Sequence, residues 1–187
     1  MKKTVLTFGL IAGAILSLLM LATVPFMDKI GFDKGEIVGY TGMVLAFLLV
    51  FFGIRSYREN IGGGAITFGR AFSIGILITL VGCACYVVTW EVIYFKLAPG
   101  FVEKYAAYMV EKLKSSGASQ QVIEAKLQEM KNFKALYDNP LINAAISFIE
   151  PLPVGLIVTL ISAAVLRKKP KPTEAGKSVT AHQTAGP

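Results

Sequence analysis

Four stretches of the chain are apolar without the two-residue alternation of a half-buried strand, and each is long enough to cross a bilayer as a helix. They run from about 4 to 27, 37 to 54, 71 to 95 and 142 to 166. At ~1.5 Å rise per residue, about 20 residues cover a hydrocarbon core of ~30 Å, so the pattern predicts four transmembrane helices. The first stretch follows Lys2 and Lys3, as a signal peptide would. It exceeds the length of a signal h-region, however, and ends in Val24-Pro25-Phe26-Met27 with no A-x-A site, so it reads as a retained span.

Between the third and fourth stretches, residues 96 to 140 become more polar and take a helical period. Phe101, Tyr105, Tyr108 and Met109 share one face up to the breaker Ser115-Ser116-Gly117. Ser119 is placed to cap a second helix, whose stripe of Ile123, Leu127, Met130, Phe133 and Tyr137 lies opposite Glu124, Gln128 and Lys131 and stops at Asn139-Pro140. The two helices must bury these stripes against each other, against the membrane surface or against a partner protein. The expected fold class is therefore all-α: a polytopic helical membrane protein with four transmembrane helices and an extracytoplasmic helical hairpin between spans three and four. One membrane domain covers residues 1–170, and residues 171–187 read as a disordered cytoplasmic tail. Ile61, Ala65, Phe68 and Phe72 also repeat at helical spacing, which predicts an interfacial segment after Gly62-Gly63-Gly64. Those glycines are not a phosphate loop, since no Gly-Lys-Ser/Thr follows and no strand precedes.

Composition narrows the class further. With 54% hydrophobic and 17% charged residues, and a mean hydropathy of +0.59, the chain departs from a water-soluble domain in the direction of lipid. The formal charge of +7 is unevenly placed: Lys2 and Lys3, then Arg55, Arg58 and Arg70, then Arg167, Lys168, Lys169, Lys171 and Lys177 all fall on one side of a four-span topology. By the positive-inside rule both termini face the cytoplasm. The 96–140 segment holds seven lysines and five acids, but long loops are translocated largely regardless of charge, so it is assigned outside. The basic surplus is thus a topology signal, with the lipid bilayer as the expected partner and no nucleic acid. Arg55, Arg58 and Arg70 are candidate contacts for lipid headgroup phosphates; a plain flexible turn is the competing reading of their loop.

Candidate chemistry is sparse. Glu91 and Glu150 are the acidic residues within the spans, where an unpaired ionised group is costly. Glu91 lies near the outer boundary beside the stripe Tyr86, Trp90 and Tyr94, which reads as an interfacial aromatic belt with a solvated acid. Asn143, Ser147 and Glu150 form a polar stripe on span four, while Pro151 and Pro153 remove the donors that would bond the carbonyls of Ser147 and Ile149. The stripe is a candidate intramembrane polar site with Glu150 expected to be buried; the alternative is a structural kink. Cys83 and Cys85 point about 200° apart on a helix and form neither a disulfide nor a metal pair. His182 stands alone in the tail. No catalytic, cofactor-binding or metal-ligating set is expected. Small residues at Gly9, Gly13 and Ser17, and at Gly35, Gly39, Gly42, Ala46 and Gly53, allow close helix approach inside one bundle or between two copies.

The segment Glu150-Pro151-Leu152-Pro153-Val154-Gly155-Leu156 resembles an uncharacterised bacterial family of four-span membrane proteins, domain of unknown function 4199. Gly69-Arg70-Ala71-Phe72, Tyr86 to Trp90, Lys104-Tyr105, Glu124-Ala125-Lys126 and Asn139-Pro140 match it too, so the resemblance extends nearly to the tail. It implies the bacterial cytoplasmic (inner) membrane and brings no activity, cofactor or catalytic residue. The expected function is a non-enzymatic envelope scaffold, assembly or regulatory protein, working as a homo-oligomer or with an envelope protein through the 96–140 hairpin. The alternative is a small oligomeric transporter or channel using Glu150 at the proline-kinked fourth helix.

Overall fold

The computed structural model describes residues 1–169; the expected tail, with Lys171, Lys177 and His182, lies outside the described residues. The chain forms α1 (Lys2–Thr23), a 3-10 turn (Val24–Phe26), α2 (Met27–Ile30), α3 (Phe32–Asn60) and α4 (Phe68–Val92), which continues as a π-helical turn (Ile93–Leu97). Then come α5 (Phe101–Ser115), α6 (Gln120–Tyr137), α7 (Pro140–Ile149) and α8 (Leu152–Leu166). Four helical stretches are long and apolar enough to cross a membrane: Lys2–Ile30, Phe32–Asn60, Phe68–Leu97 and Pro140–Leu166.

Local chemistry sets the boundaries. Side-chain oxygens cap three helices: Thr67 accepts from the Arg70 N–H at 3.3 Å, Ser119 from Val122 at 3.4 Å, and Asn139 from Leu141 and Ile142 at 3.0 and 3.4 Å. Asn139-Pro140 therefore does more than end α6; the fixed φ of Pro140 and the Asn139 cap start α7. Gly100, at φ +82°, turns the chain from span three into the hairpin.

The bundle is built around two central helices. α1 and α8 each pack on both α3 and α4, and α3 and α4 touch across the middle. Lipid supplies no hydrophobic drive between helices, so close approach and hydrogen bonds have to hold them. Gly9 lies under the side chain of Val81 and Gly13 under that of Cys85, while one turn on Ser17 Oγ meets Thr89 Oγ1 at 2.7 Å. The small-residue stripe of α1 is thus spent inside the bundle. On the other side of α4, Gly75 receives the Thr159 methyl, and Thr79 Oγ1 lies 3.2 Å from Thr159 Oγ1. Phe47, Val50, Ile54, Ile74 and Ile78 are fully buried between these contacts.

At the end that carries the N-terminus, Ile66 and Lys168 exchange backbone hydrogen bonds of 3.0 and 2.9 Å. This corrects the helical reading of residues 61 to 72. Gly63 and Gly64 take positive φ, Ile66 is buried in the bridge, and helix begins only at Phe68. Two backbone bonds and a buried Ile66 outweigh a four-residue apolar period.

At the opposite end α5 and α6 pack on each other and on the bundle. The aromatic face of α5 encloses Phe32, whose ring centroid lies 5.8, 5.4 and 5.1 Å from Phe101, Tyr105 and Tyr108. Lys104–Asp28 and Lys112–Asp33 ion pairs flank this contact, but both are exposed, so the rings rather than the charges carry the docking.

Gly13→Leu should destabilise the bundle by about 1–3 kcal/mol, because a Cβ there would lie 2.5 Å from the Cβ of Cys85 on a neighbouring backbone. A lowered denaturation midpoint of the purified protein in detergent checks this; an unchanged midpoint would place α1 away from α4.

Candidate functional site

Tyr86 and Trp90 on α4 and Tyr94 in its π-helical continuation stand at i, i+4 and i+8, and all three are buried rather than turned to lipid. This corrects the aromatic-belt reading. The cause is a polar partner for each ring on the returning arm of the chain: Tyr86 donates to Glu150 Oε2 at 2.7 Å, Trp90 Nε1 to the Tyr137 hydroxyl at 2.8 Å, and Tyr94 to Asp138 Oδ1 at 2.6 Å. A buried hydroxyl or indole N–H without a partner is penalised, so the three pairs lock α4 to α6, α7 and the α7–α8 joint.

The predicted polar stripe divides at this joint. Asn143 and Ser147 are buried and structural: Asn143 Nδ2 donates to the Tyr137 carbonyl at 3.1 Å, Ser147 Oγ lies 3.2 Å from Asn143 Oδ1, and the Tyr137 and Ser147 hydroxyls meet at 3.1 Å. Glu150 belongs to a different environment. Pro151 and Pro153 break the helix there, so that α8 packs on α3 and α4 while α7 packs on α4 and α6. Glu150 is not enclosed by protein as expected; it is accessible from a cavity of about 380 Å³ that lies under the hairpin.

The cavity occupies the half of the bundle nearest the hairpin. At ~1.5 Å per residue Glu150 lies about 24 Å along the fourth span from Leu166, near the end of a ~30 Å core. Tyr86 and Trp90 form one wall, Glu36 and Tyr40 of α3 another, and Tyr105 and Tyr137 of the hairpin the roof. Among the described residues no lysine or arginine lines it. Gly39 leaves room on the α3 side, where an added Cβ would meet no atom within 4 Å. Sequence reasoning missed Glu36, Gly39 and Tyr40 as a group. Their i, i+3, i+4 spacing is the available signal, but Glu36 precedes the apolar run that begins near 37.

The other candidates do not join this site. Glu91 is half-buried beside Trp90, with one carboxylate oxygen enclosed and unbonded, which corrects its reading as a freely solvated acid. Arg55, Arg58 and Arg70 sit at the opposite end. Arg58 donates to the Leu166 carbonyl at 3.2 Å, closing the C-terminus of α8, and Arg70 donates to the Tyr57 hydroxyl at 3.1 Å. Arg55 pairs with Glu59 at 3.0 Å on the surface. Cys83 is buried in the core and Cys85 packs on Gly13. Among the described residues no group of three His, Cys, Asp or Glu is placed to hold a metal ion.

A family model described as "Protein of unknown function (DUF4199)" matches residues 7–168, and the chain belongs to that family. No curated protein and no solved structure matches it. The matched region runs from α1 to the Lys168 bridge, so the hairpin and every cavity wall lie within the family domain. With its four apolar helices, the chain is an integral membrane protein of the multi-pass type.

Asn143→Leu strands the Tyr137 carbonyl and one Ser147 contact, and should cost about 1–2 kcal/mol in a denaturation followed by the emission of Trp90. The hairpin root should also depend on pH. The Lys134 ammonium, then the Tyr94 hydroxyl, holds the Asp138 carboxyl below its ordinary 3.8, so its contribution is complete above that value and is lost as pH falls through the lowered one. Hydrogen bonds to Asp138, then Glu103, hold Lys134 above its ordinary 10.5, so its contribution is present below that value and is lost as pH rises through the raised one. Trp90 emission should therefore stay flat from about pH 5 to 10 and shift only at the extremes.

Proposed function

We propose that this family member is a non-enzymatic binding protein of the bacterial cytoplasmic membrane, with both termini in the cytoplasm. It takes up a small amphiphile on its outer side and regulates or scaffolds an envelope partner, or a second copy of itself, through the hairpin. The cavity under the hairpin carries this reading. Ligand sites are concave, largely apolar and about 300–1,000 Å³ in volume, with a few polar groups that orient the occupant. Here the polar groups are two carboxylates and a set of phenols, and the remainder is aromatic and aliphatic wall at the depth where amphiphiles rest.

The gathering of Lys2, Lys3, Arg55, Arg58, Arg70, Arg167, Lys168 and Lys169 at one end supports the orientation. The hairpin supports the regulatory role. Its roof residues Tyr105 and Tyr137 touch the cavity, while Val122 and Leu136 on α6 remain exposed for a partner. Glu150 facing the cavity also favours the transporter reading. A permeant would still have to cross the inner half, where Phe47, Ile54 and Ile78 are fully buried and Thr79 is bonded to Thr159, so the packing favours binding over passage.

Trp90 is the single tryptophan and lines the cavity, which makes it a built-in reporter. In unbrominated phospholipid nanodiscs, a nonionic single-chain maltoside with a brominated tail should quench Trp90 saturably. Gly39→Leu fills the space beside the ring without meeting another atom at its Cβ, and should raise the half-saturating concentration about tenfold or more at unchanged stability. Equal quenching of both proteins, or none of either, would overturn the reading.

A further inference from the structure

We infer that the cavity selects an amphiphile with an organic ammonium head. The inference rests on the binding reading above and adds the chemistry of the ligand. Two carboxylates, Glu36 on α3 and Glu150 at the α7–α8 joint, line one space to which no lysine or arginine among the described residues contributes. They lie within electrostatic reach of each other and of Tyr40. Like charges facing one low-dielectric space repel, and a cation between them converts that repulsion into attraction.

Three donors in the wall are committed to protein. Tyr86 gives its proton to Glu150 Oε2 at 2.7 Å, and Trp90 gives its indole N–H to Tyr137 at 2.8 Å. The Tyr137 hydroxyl is shared with Ser147 at 3.1 Å. The polar atoms of these three rings are thus held by protein, the Tyr40 and Tyr105 hydroxyls remain to meet the polar part of an occupant, and Glu150 keeps its second oxygen available. A space walled by carboxylate oxygens and π faces attracts cations and repels sulfates and phosphates.

The same wall distinguishes between cations. A small, strongly hydrated ion needs several oxygen ligands at short range, and among the described residues no group of three ligating side chains is placed to supply them. An alkylammonium is weakly hydrated and gains from each aromatic face it touches, as quaternary ammonium groups do in aromatic cages. Leu16, Leu19 and Met43 continue the wall in hydrocarbon, which suits the chain attached to such a head. The Tyr86 hydrogen bond fixes the Glu150 carboxylate at the level of the rings, so head and tail are read at different depths.

The test uses three single-chain amphiphiles with one common brominated tail and a trimethylammonium, maltoside or sulfonate head, titrated against Trp90 fluorescence of the full chain in phosphatidylcholine nanodiscs. The ammonium compound should half-saturate at a concentration at least about tenfold below the maltoside, and the sulfonate should bind more weakly than either. Glu36→Gln combined with Glu150→Gln should abolish the ammonium preference, so that the ammonium and maltoside compounds half-saturate at the same concentration. Glu36→Gln alone, on an exposed position of α3, should remove part of the preference and covers the case in which the Glu150 change impairs folding. Quenching by all three heads at equal concentrations, or an ammonium preference that survives both substitutions, overturns the inference and leaves the binding reading standing. Absence of saturable quenching by any of them overturns both.

Discussion

Hydrocarbon gives two apolar helices no reason to associate, and every feature of this bundle follows from how α4 meets that constraint. On one side it offers Val81, Cys85 and Thr89 to the small residues Gly9, Gly13 and Ser17 of α1. On another, Gly75 and Thr79 admit α8 closely enough for the two threonine hydroxyls to meet. Its outer third carries the aromatic donors Tyr86, Trp90 and Tyr94, which are matched by acceptors on the returning chain. Short-range dispersion contacts and the Thr79–Thr159 bond hold the half away from the hairpin, and the aromatic hydrogen bonds hold the half beneath it.

That division explains where the cavity lies. Close packing by glycine and threonine leaves no space, whereas long aromatic side chains hold helices apart by the length of their rings. The proline break at Glu150 marks the change from one regime to the other. Below it α8 packs on α3 and α4; above it α7 packs on α4 and α6, and the hairpin closes the top. Binding capacity and rigidity are therefore properties of different layers of one bundle. An occupant of the cavity would touch the hairpin directly, at Tyr105 and Tyr137.

Much of the architecture was legible along the chain. The four spans, the hairpin, the Ser119 cap and the break at Pro151 each depend on composition or on a local backbone rule, and neighbours in sequence suffice to specify them. The internal use of the Gly9, Gly13, Ser17 stripe was one of two readings, and the position of α4 opposite it decided between them. Three elements were misread for a common reason. The stripe Tyr86, Trp90, Tyr94 looks identical whether it faces lipid headgroups or a protein acceptor; Ile61 to Phe72 has a helical period, but Ile66 is drawn into a bridge with Lys168 and helix starts only at Phe68; Glu150 looks buried until the gap beside it is seen. In each case the deciding partner is distant in sequence.

The chain by itself determined that this is a helical membrane protein, how many times it can cross, and which helix must break, because burying a backbone in oil permits few alternatives. Only the tertiary structure decided which face of each helix meets protein, that Asn143 and Ser147 are structural while Glu150 is accessible, and that Glu36, Gly39 and Tyr40 share a cavity with it. The physical reason is that period and hydropathy record how far a residue is from water, whereas a site is defined by what stands across a gap of a few ångströms on another helix.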